Sequence, residues 1–499
     1  MSASVIAAKS RISALPRISV LIAMLGAVFY GVLLSRSVAM DMQAFGYNFY
    51  DQVWLALLDG RLDLPARVLR LEGHYAPDGT GYFYHGLAPL VIRALLDPFV
   101  TIGQGSLSPV SIWIWAVAGT ALYQSAFLRV VPDAGARTRA ALSALVWFGG
   151  PGVILASNHA FYHEPIGLAY ALGGAFMLIW VHTLREARVT ASALLGLALV
   201  AALCVHARPH LAAALYVGVA LAGVYALWTW RTRLAAPVLL AVALLGAGGV
   251  GYLALNQARF GDMTATHGSF DKSAIRYGTV FWGLEDEDGL RARAFTEHGR
   301  FNAGRIAPNA MIYSVLPPEK LMPGSHNSIR TLHEEYTAPR TGFTRIEPPT
   351  AGVLFLWAAW IAAAAFGIAG LRRARPGELA LVGVAGIGAT LILAYATITM
   401  RYLVDLWPLV AALALIGLPR LTTWLSEMPP PRSGALLLVA GFSMLLNLQT
   451  AADSRLLFRE DPNTGFRAWD ANTCRLFALS VDVPTENISE VCRDPRVET

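Results

Sequence analysis

The chain has 499 residues, of which only 14% are charged and 55% hydrophobic, and its formal net charge is +6. With a mean hydropathy of +0.50, that balance excludes an ordinary soluble globule of this size. The positive excess is almost wholly arginine, since Lys9, Lys272 and Lys320 are the only lysines. Those arginines are dispersed at the ends of apolar runs, which is an orientation signal rather than a nucleic-acid-binding face.

Taken in chain order, apolar stretches long enough for a helix to cross a bilayer core fall at 18–35, 106–128, 140–156, 165–183, 190–206, 209–230, 234–255, 351–371, 379–398, 403–419 and 433–449. They predict an all-α polytopic membrane protein with about eleven spans. The first follows Lys9, Arg11 and Arg17. Ser35-Arg36-Ser37 and Met40-Asp41 offer no convincing small-residue cleavage site, so it is read as an uncleaved helix.

Two connections are long: 36–105, after the first span, and 256–349, after the seventh. The short ones alternate in charge. Arg129/Arg137/Arg139, Arg185/Arg188, Arg231/Arg233, Arg372/Arg373/Arg375 and Arg420/Arg432 share a side with the N-terminus, whereas Ser157 to Glu164 has no Arg or Lys. The positive-inside rule then places the N-terminus in the cytoplasm and the C-terminal tail outside, with both long loops. The organisation expected is a cytoplasmic stretch 1–17, a seven-span module 18–255, the second outer loop 256–349, four C-terminal spans 350–450 and an extracytoplasmic tail 451–499.

Gly86–Ile102 is apolar enough to suggest a further span. Arg93 and Asp97 would be costly at bilayer depth, and a span here would break the alternation, so it is read as a re-entrant or interfacial helix pair. Tyr47 to Leu58 reads as a helix in the outer interface. Pro429-Pro430-Pro431 is a cytoplasmic linker, and Glu285-Asp286-Glu287-Asp288 a solvated turn. Cys204, in an apolar run, is a packing residue. Cys474 and Cys492 are equally one disulfide or two thiols. Asn487-Ile488-Ser489 is a weak, common glycosylation match.

The candidate chemistry lies on the outer side. Position leaves Asp41 two roles, a general base for an acceptor hydroxyl or a solvated helix-capping acid. Asp51 is a second candidate, on the amphipathic segment, where pairing with an arginine is the plainer role. Glu164 precedes Pro165 and complements a helix N-terminus; the sharper role has Glu164, His159 and His163 orienting an acceptor or a divalent metal. The i, i+4 histidines invite that metal, although a turn ending in proline need not be helical. A lipid-linked phosphate needs cations near the headgroups. Arg208, His210, Arg401 and Tyr402 lie in short outer turns, with Arg259, Lys272 and Arg276 at the start of the second long loop. Arg208 and Arg401 stand where the orientation rule disfavours positive charge, which favours a binding role over snorkelling. His85 is another phosphate contact or a turn residue.

On these residues the chain resembles the GT-C superfamily of integral-membrane glycosyltransferases, in the branch of protein O-mannosyltransferases and the lipid A aminoarabinose transferase. That branch has a seven-span module with a large outer loop after span one and another after span seven, which the first 350 or so residues match in topology. Asp41 stands at the family's first-loop catalytic acid and Glu164 in the second outer loop, where many members carry another acid. His85-Gly-Leu-Ala-Pro replaces a Lys-Pro-Pro turn. Arg401-Tyr402-Leu403, with Asp405 and Pro408, is similar to the family's run opening a late helix. Met42 takes the place of the second acid that often follows the first. The resemblance implies transfer of a sugar from a polyprenyl-phosphate donor to an outer-face lipid, glycan or protein. It also implies a bacterial inner (plasma) membrane location.

No nucleotide-binding fingerprint is present. A transporter or flippase would show repeats and charges at mid-membrane; here the spans hold few ionisable groups, and Asp405 is expected to pair with Arg401, one turn away. A non-catalytic protein on the same scaffold is the third class. Reporter fusions test the predicted orientation. A fusion in the 129–139 connection should behave as cytoplasmic and one in 157–164 as external, and the reverse pattern would refute the charge assignment.

Overall fold

The computed structural model describes residues 17–38, 48–69, 72–183, 185, 189–230, 234–265, 275–281, 289–347 and 349–454. Asp41, Lys272, Glu285–Asp288, Asn487 and both tail cysteines lie outside them. Every apolar stretch marked in the sequence coincides with a helix. In chain order these are α1 (Arg17–Val38), α2 (Phe49–Leu58), α3 (Val91–Leu96), α4 (Ser108–Val130), α5 (Ala136–Phe148), α6 (His163–Thr183) and α7 (Ala191–Val205). They continue with α8 (Pro209–Trp230), α9 (Ala235–Phe260), α10 (Ile306–Val315), α11 (Ala358–Gly370), α12 (Pro376–Leu393), α13 (Leu403–Ser426) and α14 (Pro430–Ser454). Among the described residues, nine helices are long and apolar enough to cross a membrane, α5 being extended to Leu155 by one further turn. The remaining two apolar helices are shorter, α7 with 15 residues and α11 with 13.

Their burial follows from composition. Helices this apolar all round bury one side against neighbours and leave the rest to lipid. On α14, Leu437 and Leu438 are exposed while Leu446 and Ala451 are buried. The core is aromatic where α4, α11 and α13 meet. Trp360 stacks on Phe127 at 4.7 Å and Trp407 meets Trp357 edge-on at 5.3 Å. Close approach of α11 and α13 relies on a missing side chain, because a Cβ on Gly417 would sit 1.9 Å from the Ala363 carbonyl oxygen.

The two long loops are joined by backbone pairing. In the first, β1 (Asp63–Leu64), β2 (His74–Tyr75) and β3 (Gly81–Tyr82) form antiparallel pairs, and β4 (Arg276–Tyr277), from the second loop, adds to β2. The sheet order is β1-β3-β2-β4. A second small sheet pairs β5 (Arg345–Ile346) in parallel with β6 (Thr397–Ile398), just before α13. Asn309 on α10 donates to the carbonyls of Leu393 and Tyr395 at 2.8 and 3.0 Å, tying the second loop to the end of α12.

Segment 86–102 differs from the helix pair expected of it. A single 3-10 turn at Ala88–Leu90 runs directly into α3. Arg93 lies fully buried there because two carboxylates receive it. Substituting Val for Gly417 should force α11 and α13 apart and cost about 1–3 kcal/mol. That loss would lower the midpoint of thermal unfolding in detergent, and an unchanged midpoint would mean the contact does not hold the helices.

Candidate active site

One cavity of about 720 Å³ lies where the loops, the turn before α8 and the start of α13 converge. Five arginines line it, Arg208, Arg291, Arg300, Arg345 and Arg401, against two glutamates, Glu72 and Glu347. Six tyrosines complete the polar wall, at 84, 162, 252, 277, 395 and 402, while Ile166, Leu391 and Ile392 supply an apolar one.

Each central cation is held by a carboxylate. Arg208 is ion-paired with Asp405, whose Oδ1 is also 3.4 Å from His210 Nε2. Arg401 Nη1 donates to Glu347 Oε2 at 2.8 Å and to the Thr399 hydroxyl at 3.2 Å. The expected Asp405–Arg401 pairing is therefore corrected: Asp405 answers Arg208, which the 207–209 turn brings across from another helix, and the carboxylate of Glu347 serves Arg401. Burial alone would push the Glu347 carboxyl up, but the guanidiniums of Arg401 and Arg345 outweigh it and hold the group below the usual carboxylate range. Aromatic faces set the remaining geometry, with the Arg401 guanidinium 4.6 Å from the Tyr162 ring centre and that of Arg208 5.1 Å from Tyr402.

His85 also lines the cavity. Its carbonyl accepts from Arg259 at 2.8 Å, so Arg259 braces the loop from behind instead of facing the space. Burial, then the nearby Arg208 and Arg401, drive the His85 imidazole well below its usual range, so it is neutral at pH 7. Gly86 follows against the carbonyl of His206, where a Cβ would sit 2.1 Å from the oxygen. That contact seats the first loop on the turn carrying Arg208.

Of the residues singled out from the sequence, His85, Arg208, His210, Arg401 and Tyr402 share this cavity. Asp51, His159, His163, Glu164 and Arg276 do not line it. Asp51 and Glu164 converge on Arg93. Its Nε donates to Asp51 at 2.8 Å and its Nη2 to Glu164 at 3.0 Å, with the Ser108 hydroxyl also on Glu164. The buried cluster joins α2, α3, α4 and α6. His159 Nδ1 is 2.8 Å from the Ser37 hydroxyl, and only His163 lies on α6, so the two histidines do not share a helix face. Among the described residues, no three metal-ligating side chains converge. Arg276 pairs through its backbone with Tyr75 and leaves its side chain exposed.

Glu72, Glu347, Arg291, Arg300 and Arg345 were not singled out from the sequence. The first loop did contain a signal, since Asp78-Gly79 between His74-Tyr75 and Gly81-Tyr82 is a hairpin dipeptide. Recognising that hairpin would have placed Glu72 at the foot of a strand.

No protein-family model and no curated protein matches the chain. The crystal structure of ArnT from Cupriavidus metallidurans bound to undecaprenyl phosphate resembles it at 13% identity and a TM-score of 0.44, covering 95% of this chain and 76% of that one. So loose a likeness assigns neither function nor site.

Replacing Arg93 with Leu strands two buried carboxylates and should cost about 3–5 kcal/mol. The loss should appear as poor yield of folded protein and a lowered melting midpoint in detergent. A variant as stable as the parent would contradict the role of this cluster as a helix junction.

Proposed function

We propose that this chain transfers a sugar from a polyprenyl-phosphate donor to an extracytoplasmic acceptor by inverting displacement. The observation that carries the reading is the cavity's charge: five arginines against two glutamates, with Arg208 and Arg401 each oriented by its own carboxylate. Guanidinium groups in such a setting suit a phosphate oxyanion. The apolar wall at Ile166, Leu391 and Ile392 suits the first isoprene units entering between α6 and α12.

In this scheme the acceptor oxygen attacks the anomeric carbon and its proton passes to the Asp41 carboxylate. The bond between that carbon and the phosphate oxygen breaks, and polyprenyl phosphate departs. Charge that grows on the departing oxygen meets Arg208 and Arg401, an electrostatic stabilisation that strengthens as the bond breaks. Asp41 is assigned by its place in the first loop and by the family resemblance. Glu164, whose partners are Arg93 and Ser108, braces the helix junction. His85 and His210 line the phosphate end, and Arg259 supports it through the His85 carbonyl.

Two variants test the assignment. Asp41→Asn should bind undecaprenyl phosphate as the parent does yet transfer labelled sugar about 10²–10⁴-fold more slowly. Arg401→Lys keeps the charge but loses the two-pronged geometry, and should weaken undecaprenyl phosphate binding in nanodiscs by about tenfold. Undiminished transfer by Asp41→Asn would refute the base. Movement of a lipid-linked glycan across sealed vesicles without a covalent product would favour a flippase instead.

A further inference from the structure

The two glutamates of the cavity are treated differently by their surroundings. Glu347 is matched by Arg401 at 2.8 Å and Arg345 at 3.2 Å. Glu72 has no arginine or lysine within ion-pair distance among the described residues. Its carboxylate instead accepts from the hydroxyls of Tyr277 at 3.4 Å and Tyr84 at 3.5 Å, both long contacts, and the Tyr162 hydroxyl is close enough to favour its ionised form. It is 8% exposed and lines the cavity. A buried carboxylate left with weak neutral donors is an expensive feature, and stronger donors would relieve it.

The placement says which donors. Tyr162 carries the Arg401 guanidinium over its ring at 4.6 Å and turns its hydroxyl to Glu72. A phosphate on Arg401 and Arg208 would then have Glu72 one tyrosine away, in the same cavity that would hold a group attached to it. The neighbourhood combines tyrosine rings with a carboxylate holding four lone-pair sites. Such a pocket suits a sugar, whose C–H faces pack on rings and whose adjacent hydroxyls bridge both carboxylate oxygens. We propose that Glu72, with Tyr84, Tyr162 and Tyr277, is the subsite for the donor's sugar ring and selects a neutral sugar through paired hydroxyls.

This rests on the transferase reading above. A uronate is disfavoured at this position because its carboxylate would share one buried site with that of Glu72. An amino sugar is disfavoured because the charges of Arg291, Arg345 and Arg401 all reach the Glu72 carboxylate. Burial raises that carboxyl above its usual range, and further hydroxyl donors would favour its ionised form, as the Tyr162 hydroxyl and the nearby arginines already do.

The experiment uses the full chain in nanodiscs. Affinities are measured for bare undecaprenyl phosphate and for the same lipid carrying glucose, a neutral pentose, galacturonic acid or an amino sugar. At least one neutral sugar should bind tenfold or more tightly than the bare lipid. Glu72→Gln should remove that increment without weakening the bare lipid, and should raise KM more than it lowers kcat. If that variant fails to fold, Tyr277→Phe should still trim the increment at constant bare-lipid affinity. The proposal is overturned if no neutral sugar adds affinity, if the uronate or the amino sugar binds best, or if Glu72→Gln weakens bare and loaded lipid alike. Failure of the parent protein to bind even bare undecaprenyl phosphate would instead sink the transferase reading.

Discussion

Backbone hydrogen bonding between His74–Tyr75 and Arg276–Tyr277 is the constraint on which the rest of this structure depends. It joins two segments some 200 residues apart, neither of which has enough regular structure to fold alone. With that ladder formed, Glu72 and Tyr277 come within reach of each other, and the second pairing, Arg345–Ile346 with Thr397–Ile398, delivers Glu347 to Arg401. The polar site is thus assembled by strands of two residues each laid across the ends of long helices.

Charge is received in two ways. Carboxylates from other parts of the chain take Arg93 (Asp51 and Glu164), Arg208 (Asp405) and Arg401 (Glu347), whereas the buried Arg259 and Arg305 donate to backbone carbonyls. The first set does not line the cavity described above and fastens four helices. Arg208 and Arg401 stand in the cavity wall, where guanidinium donors also face open space. The same chemistry therefore fastens helices in one place and lines a cavity in another.

The helices were legible in the sequence because hydropathy and length are local properties, and all eleven apolar stretches coincide with helices. Arg208 and Arg401, which both line the cavity, stood out because positive charge in a turn read as outer conflicts with the orientation rule. What escaped was whatever depended on partners distant in sequence. Nothing near Asp405 reveals that Arg208 rather than Arg401 will reach it. Nothing near Glu164 reveals that Arg93 will fold back to pair with it. Glu72 sat unremarked in Leu71-Glu72-Gly73, since its environment is built from Tyr84, Tyr162 and Tyr277 in three separate segments.

The carboxylates behind Arg208 and Arg401 have a consequence for recognition kinetics and cost. A free arginine side chain carries about 2 kcal/mol of rotamer entropy, which a ligand must ordinarily overcome. Here Asp405 and Glu347 fix both side chains during folding, so an arriving anion meets donors already aimed. The trade is that each anchoring carboxylate repels an approaching anion. Arg291, Arg300 and Arg345 add further positive charge to the same wall, so attraction and aim are set by different residues.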